Sequence, residues 1–140
     1  MPITRRHFVT GIAAYALAAS ALPSHAGGIL TAPQAYAQAA SGKILLIDIR
    51  TPEEWQATGS GSGAKRLDMR REDFVTALDH LLGGNRSKPV ALICARGVRS
   101  GRLSRTLREA GYTYVFDVPE GMLGSYAGPG WLDRKLPLSQ

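Results

Sequence analysis

The stretch whose residue types and spacing could do chemistry is Cys94-Ala95-Arg96-Gly97-Val98-Arg99-Ser100. It follows the apolar run Pro89 to Ile93 and precedes a helical pattern reaching Ala110, so the thiol falls where a strand hands over to a helix. A loop of residues 95 to 99 wrapped over the sulfur, with Gly97 free to take a backbone conformation closed to other residues, would aim successive N–H groups at one atom. The positive end of the following helix adds to that field. Arg96 and Arg99 bring two fixed cations within a few residues of the thiol. Together these features favour a thiolate nucleophile and an anionic substrate, with no separate base required. A free cysteine at a strand end is otherwise an ordinary packing residue. A core position, however, has no use for a glycine and two arginines at this spacing.

Such a sulfur reaches a crevice only if its strand lies in a parallel sheet, where ligands bind off the carboxyl ends. The rest of the chain supplies that sheet. Lys43 to Ile49 (KILLIDI) is a continuous apolar run, the pattern of a strand covered on both faces. Thr51 as a cap, Pro52 at the first helical position and Glu53 and Glu54 in the first turn start a helix at once. Thr58 to Ala64 is rich in Gly and Ser and is expected to be a loose loop, leading to a brief edge strand around Lys65 to Leu67. Arg71 to Leu82 carries Phe74, Val75, Leu78, Leu81 and Leu82 on one helical face, with His80 beside the stripe as a packing or surface residue. Val98 to Ala110 turns Leu103 and Leu107 inward and Arg102, Arg105 and Arg108 outward. Tyr114 to Val118 is the next strand. Alternating strands and helices predict an α/β domain, a central parallel sheet with helices on both faces. Asp48 and Arg50, at the end of the neighbouring strand, either orient the cysteine loop or form a plain structural ion pair. Tyr126 and Trp131 line the pocket mouth or pack, and packing is the expectation for Trp131.

The chain has 140 residues and 44% apolar composition, enough for one domain. Its single cysteine excludes an internal disulfide framework and any CxxC site. The net charge of +6 needs to be located before it is interpreted. Arg102, Arg105 and Arg108 have no interleaved aromatics and read as a solvated helix face, so no nucleic-acid partner is expected. Arg5-Arg6 with Phe8, an apolar run ending at Leu22, and Ser24-His25-Ala26 have the layout of a twin-arginine-type signal peptide over residues 1–26. The run of 15 residues from Phe8 is too short for a spanning helix of about 20, so no stable membrane anchor is expected. A second cleavage position at Ala37 would cut a helix opened by the capping box Thr31-Ala32-Pro33-Gln34, which places the junction after Ala26. The export machinery would then be a partner and the periplasm the destination. The remaining domain, 27–140, keeps a charge of +4 and only His80 among its histidines, which points to no metal site.

At Cys94 the chain resembles the rhodanese (sulfurtransferase) family, whose signature is a six-residue loop beginning with the catalytic cysteine. The likeness extends to Leu46-Ile47-Asp48-Ile49-Arg50-Thr51-Pro52-Glu53-Glu54-Trp55 and to Glu120-Gly121-Met122 with Trp131, from about Ile29 to Leu138. The resemblance implies a rhodanese-like single domain, a thiosulfate sulfurtransferase without cofactor. Cys94 would take sulfur from a small anionic donor as a persulfide and pass it to a thiol or cyanide-like acceptor. The amides of Ala95, Arg96, Gly97, Val98 and Arg99 would stabilise the persulfide, while Arg96 and Arg99 would attract the donor. A low-turnover sulfur carrier or a partner-binding module is the alternative. Related phosphatases and arsenate reductases place five residues between Cys and Arg. Here there are four, and the shorter ring suits one sulfur better than a tetrahedral phosphate. The chain departs from the family pattern at Gly59 to Ala64, where Gly-His-Ile-x-Gly-Ala is usual, and in the added Gly124 to Gly130.

Overall fold

Short apolar runs become strands when both faces can be covered, and three of them line up here beside a two-residue polar edge strand. The computed structural model describes residues 27–140; the signal peptide expected over residues 1–26 and its expected cleavage lie outside the described residues. In chain order the elements are α1 (Ala32–Ala40), β1 (Leu45–Asp48), α2 (Pro52–Thr58), β2 (Ser60–Gly61), β3 (Lys65–Arg66), α3 (Phe74–Leu81), β4 (Val90–Ile93), α4 (Val98–Glu109), β5 (Val115–Asp117), α5 (Gly130–Asp133) and β6 (Leu138–Ser139). The main sheet runs β3-β1-β4-β5 with every pairing parallel. Leu46 faces Ala91 and Asp48 faces Ile93 in register, so β1 and β4 end together. Their carboxyl ends therefore share one edge of the molecule, the edge that carries Cys94.

Alternation along the strands divides the core in two. Ile47, Ile49, Val90, Leu92 and Cys94 face one side, against Phe74, Leu78 and Leu82 of α3 and its end and Leu107 of α4. Leu46, Ala91 and Ile93 face the other, against Ala32 and Ala35 of α1 and against Met122 and Trp131. Helices on both faces are thus as the sequence predicts. The expected capping box is present, Thr31 with Gln34 opening α1, and the Thr51 cap proves to be a second box with Glu54 that opens α2.

The Gly/Ser stretch is not the loose loop that its composition suggests. Ser60–Gly61 pairs antiparallel with Leu138–Ser139, and Ser60 is fully buried. The reason lies seventy residues away. Trp131 is fully buried, and a Cβ at Gly61 would stand 2.6 Å from its ring, so the missing side chain is what admits the indole. Packing, the expectation for Trp131, is its role; Tyr126 instead projects into solvent, 99% exposed.

The closing segment is fastened by Glu120. This carboxylate, 1% exposed, accepts from the backbone N–H of Ala32 at 2.7 Å, from Gly130 N–H at 2.8 Å and from Arg134 Nε at 2.7 Å. It so satisfies orphan donors at the first turns of α1 and α5. Burial alone would raise its pKa, but Arg134 and the two backbone donors hold it below the ordinary value.

Candidate active site

Cys94 follows the last residue of β4 directly, and Val98 opens α4 four residues later. The link is short enough that the chain must turn back over the thiol. Gly97 makes that turn in the left-handed region at φ 87°, and a Cβ there would collide with the Pro119 carbonyl oxygen. The turn points donors inward. Gly97 N–H lies 3.1 Å from Sγ and Ser100 N–H 3.4 Å, while Ser100 Oγ is 3.3 Å from the sulfur. The thiol is 1% exposed and packs at the end of the apolar cluster, so these groups are its polar surroundings.

A strap of residues after β5 secures the loop from outside. Met122 N–H donates to the Cys94 carbonyl and Leu123 N–H to the Ala95 carbonyl, both at 2.9 Å. The Cys94 and Ala95 carbonyls therefore point to the strap, and of the amides of residues 95–99 expected to face the sulfur only Gly97 N–H, joined by Ser100 N–H, lies within hydrogen-bond distance of it among the described residues. We expect Gly97→Ala to lose at least about 1–2 kcal/mol from the left-handed backbone alone, with the Pro119 overlap adding to it. Urea unfolding measures the loss, and a variant as stable as the parent would contradict this turn geometry.

Neither loop guanidinium rests on the sulfur. Arg96 Nη1 donates to the carbonyls of Gly124 at 3.2 Å and Leu123 at 3.5 Å, in the strap. Arg99 forms a two-point pair with Glu54 of α2, at 2.8 and 2.6 Å. Arg99 stays within electrostatic reach of Cys94 and Asp48, but its charge is largely matched by Glu54, which raises its own pKa. The arginines thus brace the loop from two sides. Ala95 is half-buried and Val98 is 69% exposed at the loop's rim.

Glu54 gives this brace a pH signature. Its hydrogen bonds from Arg99 lower its pKa from 4.5 to about 2, against the opposing effect of burial. A depressed carboxyl stabilises the fold fully above its unfolded value and loses that contribution as pH falls through its folded one. The stability margin of the wild type over Glu54→Gln, which keeps the capping box, should be full above pH 4.5 and shrink as the pH falls toward about 2. Denaturant melts at several pH values measure it. A margin independent of pH would mean that the pair contributes nothing.

Residues 31–126 match the rhodanese-like domain family. The chain belongs to that family. It is 34% identical over 84 residues to the uncharacterised protein YqhL of Bacillus subtilis, covering 56% of this chain and 58% of that one. It is 34% identical over 83 residues to the tRNA uridine(34) hydroxylase of Bartonella henselae, covering 58% of this chain and 27% of that one. The chain thus spans little more than half the length of the first relative and about a quarter of the second. Among solved structures it is similar to the polysulfide-sulfur transferase homodimer of Wolinella succinogenes, with 28% identity, a TM-score of 0.63, and coverage of 81% of this chain and 78% of that one. A thiosulfate sulfurtransferase of Pseudomonas aeruginosa, at 21% identity and TM-score 0.63 over 81% of this chain and 20% of that one, shares the fold.

Within this rhodanese-like domain, Asp48 and Arg50 form a buried ion pair at the end of β1. Both are buried, and Arg50 donates to Asp48 from Nε at 2.9 Å and Nη2 at 2.8 Å, to Thr58 Oγ1 at 3.0 Å and to the Gly59 carbonyl at 2.8 Å. Neither side chain hydrogen-bonds to residues 95–99 among the described residues. The pair ties the end of β1 to the end of α2, the helix that carries Glu54. His80 is exposed on α3, in keeping with its reading as a surface residue.

Three participants escaped the sequence reading. Ser100 stood at the end of the loop, yet its contact with the sulfur depends on the first turn of α4. Glu54 was legible as a first-turn acid, but its pairing with Arg99 spans 45 residues. Asp117, at the carboxyl end of β5, is 8% exposed with Oδ1 unpartnered, and burial raises its pKa.

Proposed function

We propose that this protein transfers sulfane sulfur from thiosulfate, or a donor of like charge, through a persulfide on Cys94. The observation that carries the reading is the sulfur itself, at the carboxyl end of a central parallel strand and facing the amides of Gly97 and Ser100 at the start of α4. In the first step the ionised Sγ attacks the outer sulfur of the donor. A sulfur–sulfur bond to Cys94 forms, the bond inside thiosulfate breaks, and sulfite leaves with the electron pair. An acceptor nucleophile then attacks the outer sulfur, and the pair returns to Sγ.

Ser100 has one hydroxyl hydrogen, with the Gly97 carbonyl and Sγ each at 3.3 Å and the Asp117 carboxyl also within its reach. With a protonated thiol the hydroxyl donates to Gly97 and accepts from the sulfur. Once the sulfur is ionised, the hydroxyl turns to donate to it. The amides and this rotor supply the negative charge with donors while the arginines keep the loop closed.

Incubation with thiosulfate should add one sulfur, about 32 mass units, and cyanide should discharge it as thiocyanate in repeated turnovers. Turnover without added mass would refute the persulfide route. Loading without turnover would favour the carrier reading, which the 1% exposure of Cys94 supports. Hydrolysis of an aryl phosphate would favour a phosphatase. The Arg5-Arg6 leader supports export to the periplasm, and cell fractionation tests it.

A further inference from the structure

Four carboxylates are buried among the described residues, and three of them hold an arginine: Asp48 has Arg50, Asp68 has Arg70 and Glu120 has Arg134. Asp117 has no such partner among the described residues. It lies at the carboxyl end of β5, 8% exposed, and its Oδ1 accepts no hydrogen bond. Burying a charge in that state is costly, whereas burying the neutral acid is not. Burial accordingly pushes the carboxyl above the usual aspartate range, against the opposing pull of Ser100, Arg108, the Val118 N–H and Arg105.

The backbone fixes where this group sits. Asp117 N–H donates to the Gly28 carbonyl, and the Asp117 carbonyl accepts from Leu30 N–H, both at 2.9 Å. On the other side a Cβ at Gly101 would stand 3.3 Å from Oδ2, so the first turn of α4 lies close against the carboxyl. Ser100, fully buried, precedes that glycine. Its hydroxyl is within reach of Asp117 and stands 3.3 Å from the sulfur. The charged groups that face Asp117 are Arg105 and Arg108 of α4, with Arg96 and Arg102 on the wall of the same cavity. Leu92, its neighbour on β4, and the segment Gly28 to Leu30 bring none.

We propose that Asp117 is a positioning residue for Cys94, acting through the single hydroxyl hydrogen of Ser100, for which the carboxylate and the thiolate compete. Two arrangements satisfy every group. In the first the thiol donates to Ser100 Oγ and the hydroxyl donates to the Asp117 carboxylate. In the second the protonated carboxyl donates to Oγ and the hydroxyl donates to the ionised sulfur. Between them the S–H bond breaks with its electron pair kept on Sγ, that proton joins Oγ, and the proton already on Oγ passes to the carboxylate. Charging both ends at once leaves one anion without the hydroxyl and sets two like charges beside it. The neutral acid therefore favours the thiolate and the charged acid suppresses it. The inference rests on the persulfide reading for the role of the thiolate, and its test reads the thiol alone.

The thiolate is titrated by its ultraviolet absorbance in protein not exposed to thiosulfate, with Cys94→Ser as the blank, since the chain has one cysteine. Asp117→Asn carries no charge, and its amide donates to Oγ as the neutral acid does. The midpoint of thiolate formation should fall by about one pH unit or more. In the Ser100→Ala background the same substitution should move the midpoint about half as far or less. A midpoint that stays or rises overturns the proposal. So does an equal fall in both backgrounds, which would show a charge acting through space and not through the hydroxyl. Should the asparagine variant not fold, Asp117→Ala, which also removes the competing charge, is read in the same way. Sulfur uptake from thiosulfate is followed separately by mass. A midpoint that falls as expected in protein that never takes up sulfur keeps the role of Asp117 and removes the persulfide reading.

Discussion

Cys94→Ser should abolish sulfur uptake and lower thiosulfate:cyanide turnover by roughly 10³-fold or more, as expected on losing a nucleophile. The substitution is nearly isosteric, and its hydroxyl can take over the contacts to Gly97 N–H and Ser100, so the fold should survive. At a position 1% exposed, exchanging the weakly polar thiol for a hydroxyl that finds the same partners should cost only about 1 kcal/mol. A cooperative melt close to that of the parent, together with no added mass, therefore assigns the loss to chemistry. Mass added to the serine variant, or turnover retained by it, would place the sulfur elsewhere in the chain and end the Cys94 mechanism. The chain has no second cysteine, so no neighbouring thiol can substitute.

What could be read in advance follows from how local each cause is. β1 and β4 were legible because a strand buried on both faces is a continuous apolar run, and the Thr31 capping box and the Thr51 cap were legible because their partners lie within three residues. Gly97 was legible because a turn over one atom demands a backbone without Cβ. β2, β6 and α5 have no such local cause. They are two to four residues long and exist because Trp131 fills the space beside Gly61 and Glu120 takes the N–H groups of Ala32 and Gly130. The same holds for the arginines. Their nearness to Cys94 along the chain was plain, but which anion or carbonyl each would meet depends on α2 and on the strap, 45 and 27 residues away in sequence respectively for the contacts that matter.

Arg50→Met should be the most destabilising of the single changes considered, at about 3–5 kcal/mol, because it leaves the Asp48 carboxylate fully buried without its cation. That is a large part of the roughly 5–15 kcal/mol a domain has in total. Urea unfolding should show the midpoint falling with little change in slope. The second change Asp48→Leu should recover part of the loss, since removing both charges costs less than stranding one. Recovery stays incomplete, because Thr58 Oγ1 and the Gly59 carbonyl lose the donors that Arg50 supplied. A single variant within about 1 kcal/mol of the parent would show that the pair is incidental to the fold. The effect should also reach the sulfur by a definite route. Arg50 fixes the end of α2, α2 carries Glu54, and Glu54 grips Arg99 at the far side of the cysteine loop. Sulfur uptake by the surviving folded fraction should therefore slow, whereas a purely global destabilisation would leave its rate per folded molecule unchanged.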